Sequence, residues 1–459
     1  MPQGYFIKTY GCQMNLADSE KLAGVLASAG YNEAPSEKEA EIILVNTCVV
    51  RKHAEDRAAG YISSLKGLKS KMPQLKIGVC GCLVTEPGIK VSSLFPHVDI
   101  FIAPNQPEKL DQYLKQLHYS PSPPGRGGRV LRAGGGEGII KYVTIMHGCD
   151  NFCSYCIVPY VRGREYSRPI DEILAEIEQI DLNKHPEIFL LGQNVNSYKY
   201  GLAELLGKIE KMIVESSKLK VESSELKKSP RIRFMTSHPR DMSDMIIDAV
   251  AELPHVCEYF HLPVQHGDDH VLKSMNRGYS SADYLKLLDK IRKKMPNAAI
   301  TSDVIVGYPG ETDAQFRHTL YIIEQAGFDA CNTAAYSVRP GTAASKLADD
   351  VPDKIKQERL QAAMAVVERV ARERNQGLVG TVQEVLVDQS ACQPVNQSIN
   401  NDRRTGRPED RQTWQGRTRG NKIVKFVADK NNLLGRVVDV RITLAGSWVL
   451  KGELINGKC

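Results

Sequence analysis

The sequence predicts an α/β protein in three parts: an N-terminal open parallel α/β domain, a central partial (β/α)6 barrel and a small C-terminal all-β module. Three observations carry this. Short β-rich runs alternate with helix-compatible segments through most of the chain, a Pro- and Gly-rich stretch divides that alternation, and past Gly377 Val-rich runs bounded by turn residues replace it. The 459 residues, 42% hydrophobic and 25% charged, suffice for about two to four domains with cores of their own.

In order along the chain, the strand-like runs YFIKTYG, EIILVNT and KIGVCG each end at a cysteine, Cys12, Cys48 and Cys82, and a helical stretch follows each. That is one βα unit per cysteine. Strand ends of an open parallel sheet converge on one crevice, so three residues far apart in sequence can share a ligand there. On position alone, small apolar residues at strand ends remain the competing reading. Cys80 lies within its strand, and it, Cys257, Cys331, Cys392 and Cys459 are read as structural.

The first domain is assigned to 1–118 and the linker YSPSPPGRGGRVLRAGGGEG to 119–138. The runs KYVTIM from Lys141, EIFLLG from Glu187, RIRFMT from Arg231, EYFHLP from Glu258, AITSDV from Ala299 and ACNTAAY from Ala330 are six strands separated by helical segments, as right-handed βαβ units require. After Pro352, apolar residues Leu360, Ala363, Val367 and Val370 at helical spacing predict one helix leading out of the barrel, which is assigned to 139–375. TVQEVLVD, NKIVKFVAD and GRVVDVRITLAG then predict the all-β module, 376–459. Two polar stretches, 214–230 and 396–414, are too poor in apolar residues to fold alone and read as peripheral insertions.

Several classes are disfavoured. No apolar run approaches the ~18 residues of a membrane span, and MPQGYFIKTYGC has no basic start followed by an apolar stretch. A cytoplasmic protein with no membrane association is expected. Eleven cysteines in a reducing compartment point to metal or redox chemistry before disulfides. The net charge of +6 allows a polyanionic partner without demanding one.

Residues 147–156 read HGCDNFCSYC, a C-x3-C-x2-C triplet of Cys149, Cys153 and Cys156 just after the first barrel strand. Three thiolates suit an iron-sulfur cluster whose fourth iron has no protein ligand and is free to chelate a small molecule. Zinc, with His147 as fourth ligand, is the competing reading. The carboxyl ends of barrel strands are where active sites of parallel barrels gather.

With Tyr155 before its last cysteine, the triplet resembles the motif of the radical S-adenosylmethionine superfamily. TYGCQMNLADSE, VNTCVVRKHAE and GVCGCLVTEP resemble the N-terminal domain of its methylthiotransferase family, and YCIVPYVRGREYSRP, LLGQNVNSY, TSHPRD, HLPVQHG, VLKSMNRGY, SDVIVGYPGET and YSVRPGTAA extend the likeness over nearly the whole chain. The resemblance implies two 4Fe-4S clusters, one on Cys149, Cys153 and Cys156 binding S-adenosylmethionine, the other on Cys12, Cys48 and Cys82 carrying sulfur. It further implies cleavage of S-adenosylmethionine to a 5′-deoxyadenosyl radical that takes hydrogen from the substrate carbon receiving the methylthio group.

The combination of TYGCQMN with CIVPYVRGRE resembles the branch that acts at carbon 2 of isopentenyladenosine at tRNA position 37, giving 2-methylthio-N6-isopentenyladenosine. The alternatives are the branches that act on threonylcarbamoyladenosine in tRNA or on a ribosomal-protein aspartate. An RNA-binding protein with structural clusters is the non-enzyme alternative. Expected partners are the tRNA anticodon loop, an electron donor such as flavodoxin or ferredoxin, and a sulfur source. Tyr166, His266 and Tyr308 depart from the common family residues without removing a cysteine.

Arg162, Arg164 and Arg168 follow the triplet and are candidates for phosphate or cofactor carboxylate, while Asn194, Gln265 and Asp303 at strand ends are candidate cofactor contacts. GRTRGNKIVKF resembles a TRAM domain, a small RNA-binding β-barrel. Between Asn396 and Lys425, eight basic residues, among them Arg417, Arg419, Lys422 and Lys425, outnumber three acidic ones. Such an excess suits phosphate contacts.

Overall fold

The computed structural model describes residues 4–50, 52–117, 138–218, 230–391, 411–429 and 432–455. The linker reading, most of both insertions, Cys392 and Cys459 fall outside these residues.

The first part contains β1 (Gly4–Thr9), α1 (Gln13–Ser28), β2 (Asn32–Glu33), β3 (Ile42–Thr47), α2 (Lys52–Lys71), β4 (Lys76–Gly81), α3 (Val91–Leu94), β5 (Ile100–Ile102) and α4 (Glu108–Gln116). Its strands pair in parallel in the order β2-β1-β3-β4-β5. In this doubly wound order the switch point falls between β1 and β3, which is where such sheets bind ligands. β3 is buried along its whole length, as its unbroken IILVNT run requires of a central strand covered on both faces.

The second part begins with β6 (Ile140–Thr144) and the short hairpin β7 (Met146–His147) and β8 (Tyr166–Ser167), with α5 (Val158–Arg162) inside its loop. There follow α6 (Ile170–Glu178), β9 (Glu187–Leu191), α7 (Leu202–Lys218), β10 (Arg231–Phe234), α8 (Asp244–Glu252), β11 (Tyr259–His261), α9 (Asp269–Ser274), α10 (Ser281–Lys294), β12 (Ala299–Val306), α11 (Asp313–Ala326), β13 (Ala330–Ala335) and α12 (Asp353–Gln376). All six predicted strands form, as two parallel three-stranded sheets, β6-β9-β10 and β11-β12-β13. A parallel bridge from Ile232 to Val256 joins them into an open barrel. The main core lies between strands and outer helices, where Ile188, Leu190, Ile232, Phe260 and Ile300 meet Ile173, Leu206, Ile247, Leu288 and Ile323. α7 continues to Lys218, so the polar stretch expected from Val214 starts as helix.

Contacts cross the division between these two parts. On α1, Met14 and Ala17 pack against Phe189 and Leu191 of β9. In return, Ile157 and Val161 around α5 enter the core beneath β3 and β4.

The third part is a closed five-stranded barrel, β14 (Val382–Ala391), β15 (Arg411–Thr418), β16 (Ile423–Asp429), β17 (Val437–Ala445) and β18 (Val449–Leu454), in the order β14-β15-β16-β18-β17. Trp414, Val424, Phe426, Val440 and Leu450 fill it. It sits at the amino ends of the strands of the larger barrel, where Arg231 and Arg233 of β10 donate to the carbonyls of Arg417, Thr418 and Arg419.

Candidate functional site

Cys48 and Cys82 directly follow β3 and β4, and Cys12 caps α1 three residues beyond β1, so the three stand at the carboxyl ends of adjacent strands. A buried amide network fixes those ends. Asn15 Nδ2 donates to Asn46 Oδ1 and to the Thr47 carbonyl, both at 2.9 Å, while Asn46 Nδ2 donates to the Asn15 carbonyl at 2.8 Å and to Ser19 Oγ at 2.9 Å. Thr47 Oγ1 then donates to the Cys80 carbonyl at 2.7 Å, holding β4. Gly81, at φ +91°, permits this approach: a Cβ there would stand 2.3 Å from the Thr47 carbonyl oxygen and 2.6 Å from Asn46 Oδ1.

The thiols feel one another. The neighbouring Cys48 thiol, with the Arg162 charge and the first amides of α1, brings the Cys12 thiol down to about 6. The same proximity to Cys12, with burial, pushes Cys48 up. Cys82 is raised by burial and drawn back by Arg162, whose Nε lies 3.3 Å from its sulfur. Cys80 faces the opposite side of the sheet among Leu22, Leu26 and Leu114, consistent with a structural role.

The second set lies in the loop of the β7/β8 hairpin. Cys153 is buried, and Cys149 and Cys156 are partly so. Ser154 anchors the loop by donating to the Ser274 carbonyl at 2.7 Å and sharing a hydrogen bond with Tyr308 at 2.9 Å. Tyr308, one of the departures from the family pattern, thus supports the triplet. Arg277 Nη1 donates to the Cys153 sulfur at 3.2 Å, its Nη2 to the Pro263 carbonyl at 2.9 Å. Burial raises Cys149 to about 11 and Cys156 to about 12, with Cys153 adding to both. Thiols that are dry and mutually repulsive are stabilised as thiolates by a shared cationic centre.

Among the described residues, no three Cys, His, Asp or Glu side chains close on a single ion. Three thiols in one hairpin loop and three at the ends of adjacent strands are the donor sets that suit a multi-iron cluster bridged by its own sulfides. His147 stacks against the Tyr166 ring at 5.1 Å.

Other candidates are redistributed. Arg164 is exposed and pairs with Asp150, and Arg168 holds the Thr144 carbonyl and Glu176. Arg162 reaches into the first domain, where its Nε meets Cys82 Sγ and its Nη2 meets Asp18 Oδ2. Asn194 spends its amide on Asp241 at 2.8 Å and on the His238 amide at 3.0 Å. Asp303 holds Asn332 at 2.8 Å and His261 at 3.2 Å. Gln265 sits at φ +69°, bridged to Val304 beside the barrel mouth.

The atoms left to meet a ligand belong to residues that no local sequence signal singles out. Thr144 Oγ1, Gln193 Oε1, Ser237 Oγ and His238 Nε2 are buried without partners, each at or just past the carboxyl end of β6, β9 or β10. His238 Nδ1 accepts the Arg240 amide at 3.2 Å, and burial followed by the Arg277 charge holds the ring down to about 3. The neutral ring therefore carries its proton on Nε2. Arg277, Asn46 and His238 all lie in quoted runs, but only the fold brings them to the cysteines and strand ends.

Of the four residues expected to bind RNA, three are occupied. Arg419 pairs with Glu258, Lys422 with Asp329 at 2.6 Å and Asn375 at 2.6 Å, and Arg417 with Asp388 at 3.0 Å. They hold the small barrel together or dock it to the large one. Lys425 is exposed, opposite exposed Lys451 on β18.

Residues 143–321 match the family model of the radical SAM superfamily, 4–103 that of the uncharacterized protein family UPF0004, and 404–455 that of the TRAM domain. The tRNA-2-methylthio-N(6)-dimethylallyladenosine synthase of Acetivibrio thermocellus is 40% identical, over 98% of this chain and 91% of its own. That of Caldicellulosiruptor saccharolyticus is 42% identical, over 98% and 92%. Among solved structures, the radical S-adenosylmethionine methyltransferase TsrM from Kitasatospora setae shares the fold at TM-score 0.54 and 13% identity, over 75% of this chain and 74% of its own. The two cysteine sets and the three matched domains occur in one chain that aligns end to end with these synthases, and the chain belongs to their family, the radical S-adenosylmethionine methylthiotransferases.

Proposed function

We propose that the protein methylthiolates carbon 2 of N6-isopentenyladenosine at position 37 of tRNA, giving 2-methylthio-N6-isopentenyladenosine. The observation that carries this is the pairing of two three-cysteine sets, at the carboxyl ends of two parallel sheets whose helices interpenetrate. Cys149, Cys153 and Cys156 hold the cluster that binds S-adenosylmethionine, and Cys12, Cys48 and Cys82 hold the one that carries sulfur. Bound there, these groups supply one-electron cleavage of the cofactor and the sulfur to be inserted.

The chain's own residues position the reactants. Arg277 fixes Cys153. Thr144, Gln193, Ser237 and His238 offer hydrogen bonds to S-adenosylmethionine and the target nucleoside, with Gln265 at the mouth. The adenine leaves an already single-stranded loop at little cost. Lys425 and Lys451 contact RNA phosphate: like charges in register repel, and an anion between them relieves that.

The parts are divided as 1–118, a linker 119–138, 139–375 and the TRAM module 376–459. A flavodoxin- or ferredoxin-type donor supplies electrons, and a separate sulfur source replenishes the second cluster. No helix among the described residues is long and apolar enough to cross a membrane, and the enzyme acts on tRNA in the cytoplasm. Nucleoside mass spectrometry of tRNA from cells with and without the gene tests the reading. The 2-methylthio nucleoside should vanish and isopentenyladenosine accumulate; an unchanged nucleoside profile refutes it.

A further inference from the structure

Arg162 ends α5, six residues after Cys156, and Gly163 at φ +79° turns the chain back toward β8. Although it belongs to the triplet's hairpin loop, its helix packs Ile157 and Val161 into the first domain's core, and the Val161 carbonyl accepts from Thr85 Oγ1 at 2.8 Å. The side chain is therefore delivered across the division between the two parts. It is 3% exposed, with Nε 3.3 Å from Cys82 Sγ and Nη2 3.0 Å from Asp18 Oδ2. Nη1 is buried and has no partner. A guanidinium is planar and rigid, so pinning Nε and Nη2 also fixes where Nη1 points.

A buried cationic N–H without an acceptor is costly, and an anionic acceptor placed against it removes that cost. Resting on the reading of Cys12, Cys48 and Cys82 given above, we propose that Arg162 is a positioning residue of the sulfur-carrying site: it donates a hydrogen bond from Nη1 to sulfur of the group those cysteines hold. It thereby stabilises the reduced, more negative form of that group and orients the sulfur to be transferred. Hydrogen bonds to cluster sulfurs are among the determinants of reduction potential. Because the donor comes from the triplet's own loop, the sulfur carrier is completed only when that loop is folded against it.

The test uses reconstituted full-length protein: wild type, Arg162→Gln, Arg162→Lys, and Arg164→Gln as a control for loss of a neighbouring exposed charge. Three readings are taken: iron per chain, the midpoint potential of the second cluster by EPR-monitored titration, and methylthio product per 5′-deoxyadenosine. Arg162→Gln is expected to retain S-adenosylmethionine cleavage, to shift the second cluster's midpoint to lower potential, and to lose at least tenfold in product per 5′-deoxyadenosine. A wild-type midpoint and wild-type product ratio in that variant would overturn the proposal. If Arg162→Gln does not take up the second cluster, Arg162→Lys decides, since its point charge cannot reproduce the planar donor: a lowered midpoint supports the proposal and an unchanged one overturns it. Absence of methylthio-tRNA from wild type would fail the functional reading alone, because the midpoint comparison needs no tRNA.

Discussion

Arg419 grips Glu258 through both carboxylate oxygens, Nε to Oε2 and Nη2 to Oε1, each at 2.9 Å, and Nη2 also reaches the Val256 carbonyl at 2.6 Å. A fork of this geometry is stronger and more directional than a surface ion pair. It joins the small barrel to the large one at the strand end opposite the cysteines. Arg419→Ala should therefore destabilise the docking of the two barrels by about 1–2 kcal/mol, a value discounted for partial exposure of both partners. Urea unfolding should show it, with the salt dependence of tRNA binding unchanged. A reduced salt slope would return Arg419 to the RNA surface.

Lys425 and Lys451 are in register on β16 and β18, and both are exposed. Replacing either with Gln should remove about 0.7 to 0.9 from the slope of log affinity against log salt, and the double variant about twice that. Binding titrations with tRNA between low and moderate salt measure it. An unchanged slope in the double variant would place the RNA contact elsewhere.

The difference between Lys425 and Arg419 marks how far a sequence can be read. Charge density is local, and the basic excess near the C-terminus is visible by counting; the carboxylates that absorb it, Glu258, Asp329 and Asp388, come from other elements. Strands behave differently. All six barrel strands, and the cysteines at strand ends in the first domain, were legible because a β run bounded by turn residues is itself a local signal. Arg162 follows the triplet closely in sequence, yet its side chain reaches Cys82 on the other sheet, since the direction of a side chain on a five-residue helix depends on what that helix packs against.

Asn46 is wholly buried, and its amide ties α1 to β3 while Thr47 beside it ties β3 to β4. Asn46→Ala removes hydrogen bonds at Asn15 and Ser19 and leaves their polar atoms in a dry site. The expected cost is roughly 2–3 kcal/mol, read by urea unfolding of the cofactor-free protein. Because the network sets the spacing of Cys12, Cys48 and Cys82, the variant should also take up less iron at that site while the triplet still loads. Equal iron at both sites together with full stability would show that the network is dispensable.

Apart from Arg162, the two cysteine sets have separate supports, so their losses should be separable. Cys153 is held by Arg277, which is anchored in turn on the Pro263 carbonyl, a barrel residue. Cys48 lies against Cys12 at the end of the other sheet. Cys153→Ala should leave about one 4Fe-4S cluster per chain and abolish reductive cleavage of S-adenosylmethionine, because a cluster short of one protein ligand no longer presents its open iron correctly. Cys48→Ala should also leave about one cluster, yet still form 5′-deoxyadenosine, and insert no sulfur. Iron analysis cannot tell these variants apart; product analysis can. Methylthiolated tRNA from the Cys48 variant would reduce that residue to a buried apolar side chain, and 5′-deoxyadenosine from the Cys153 variant would remove the triplet from the chemistry.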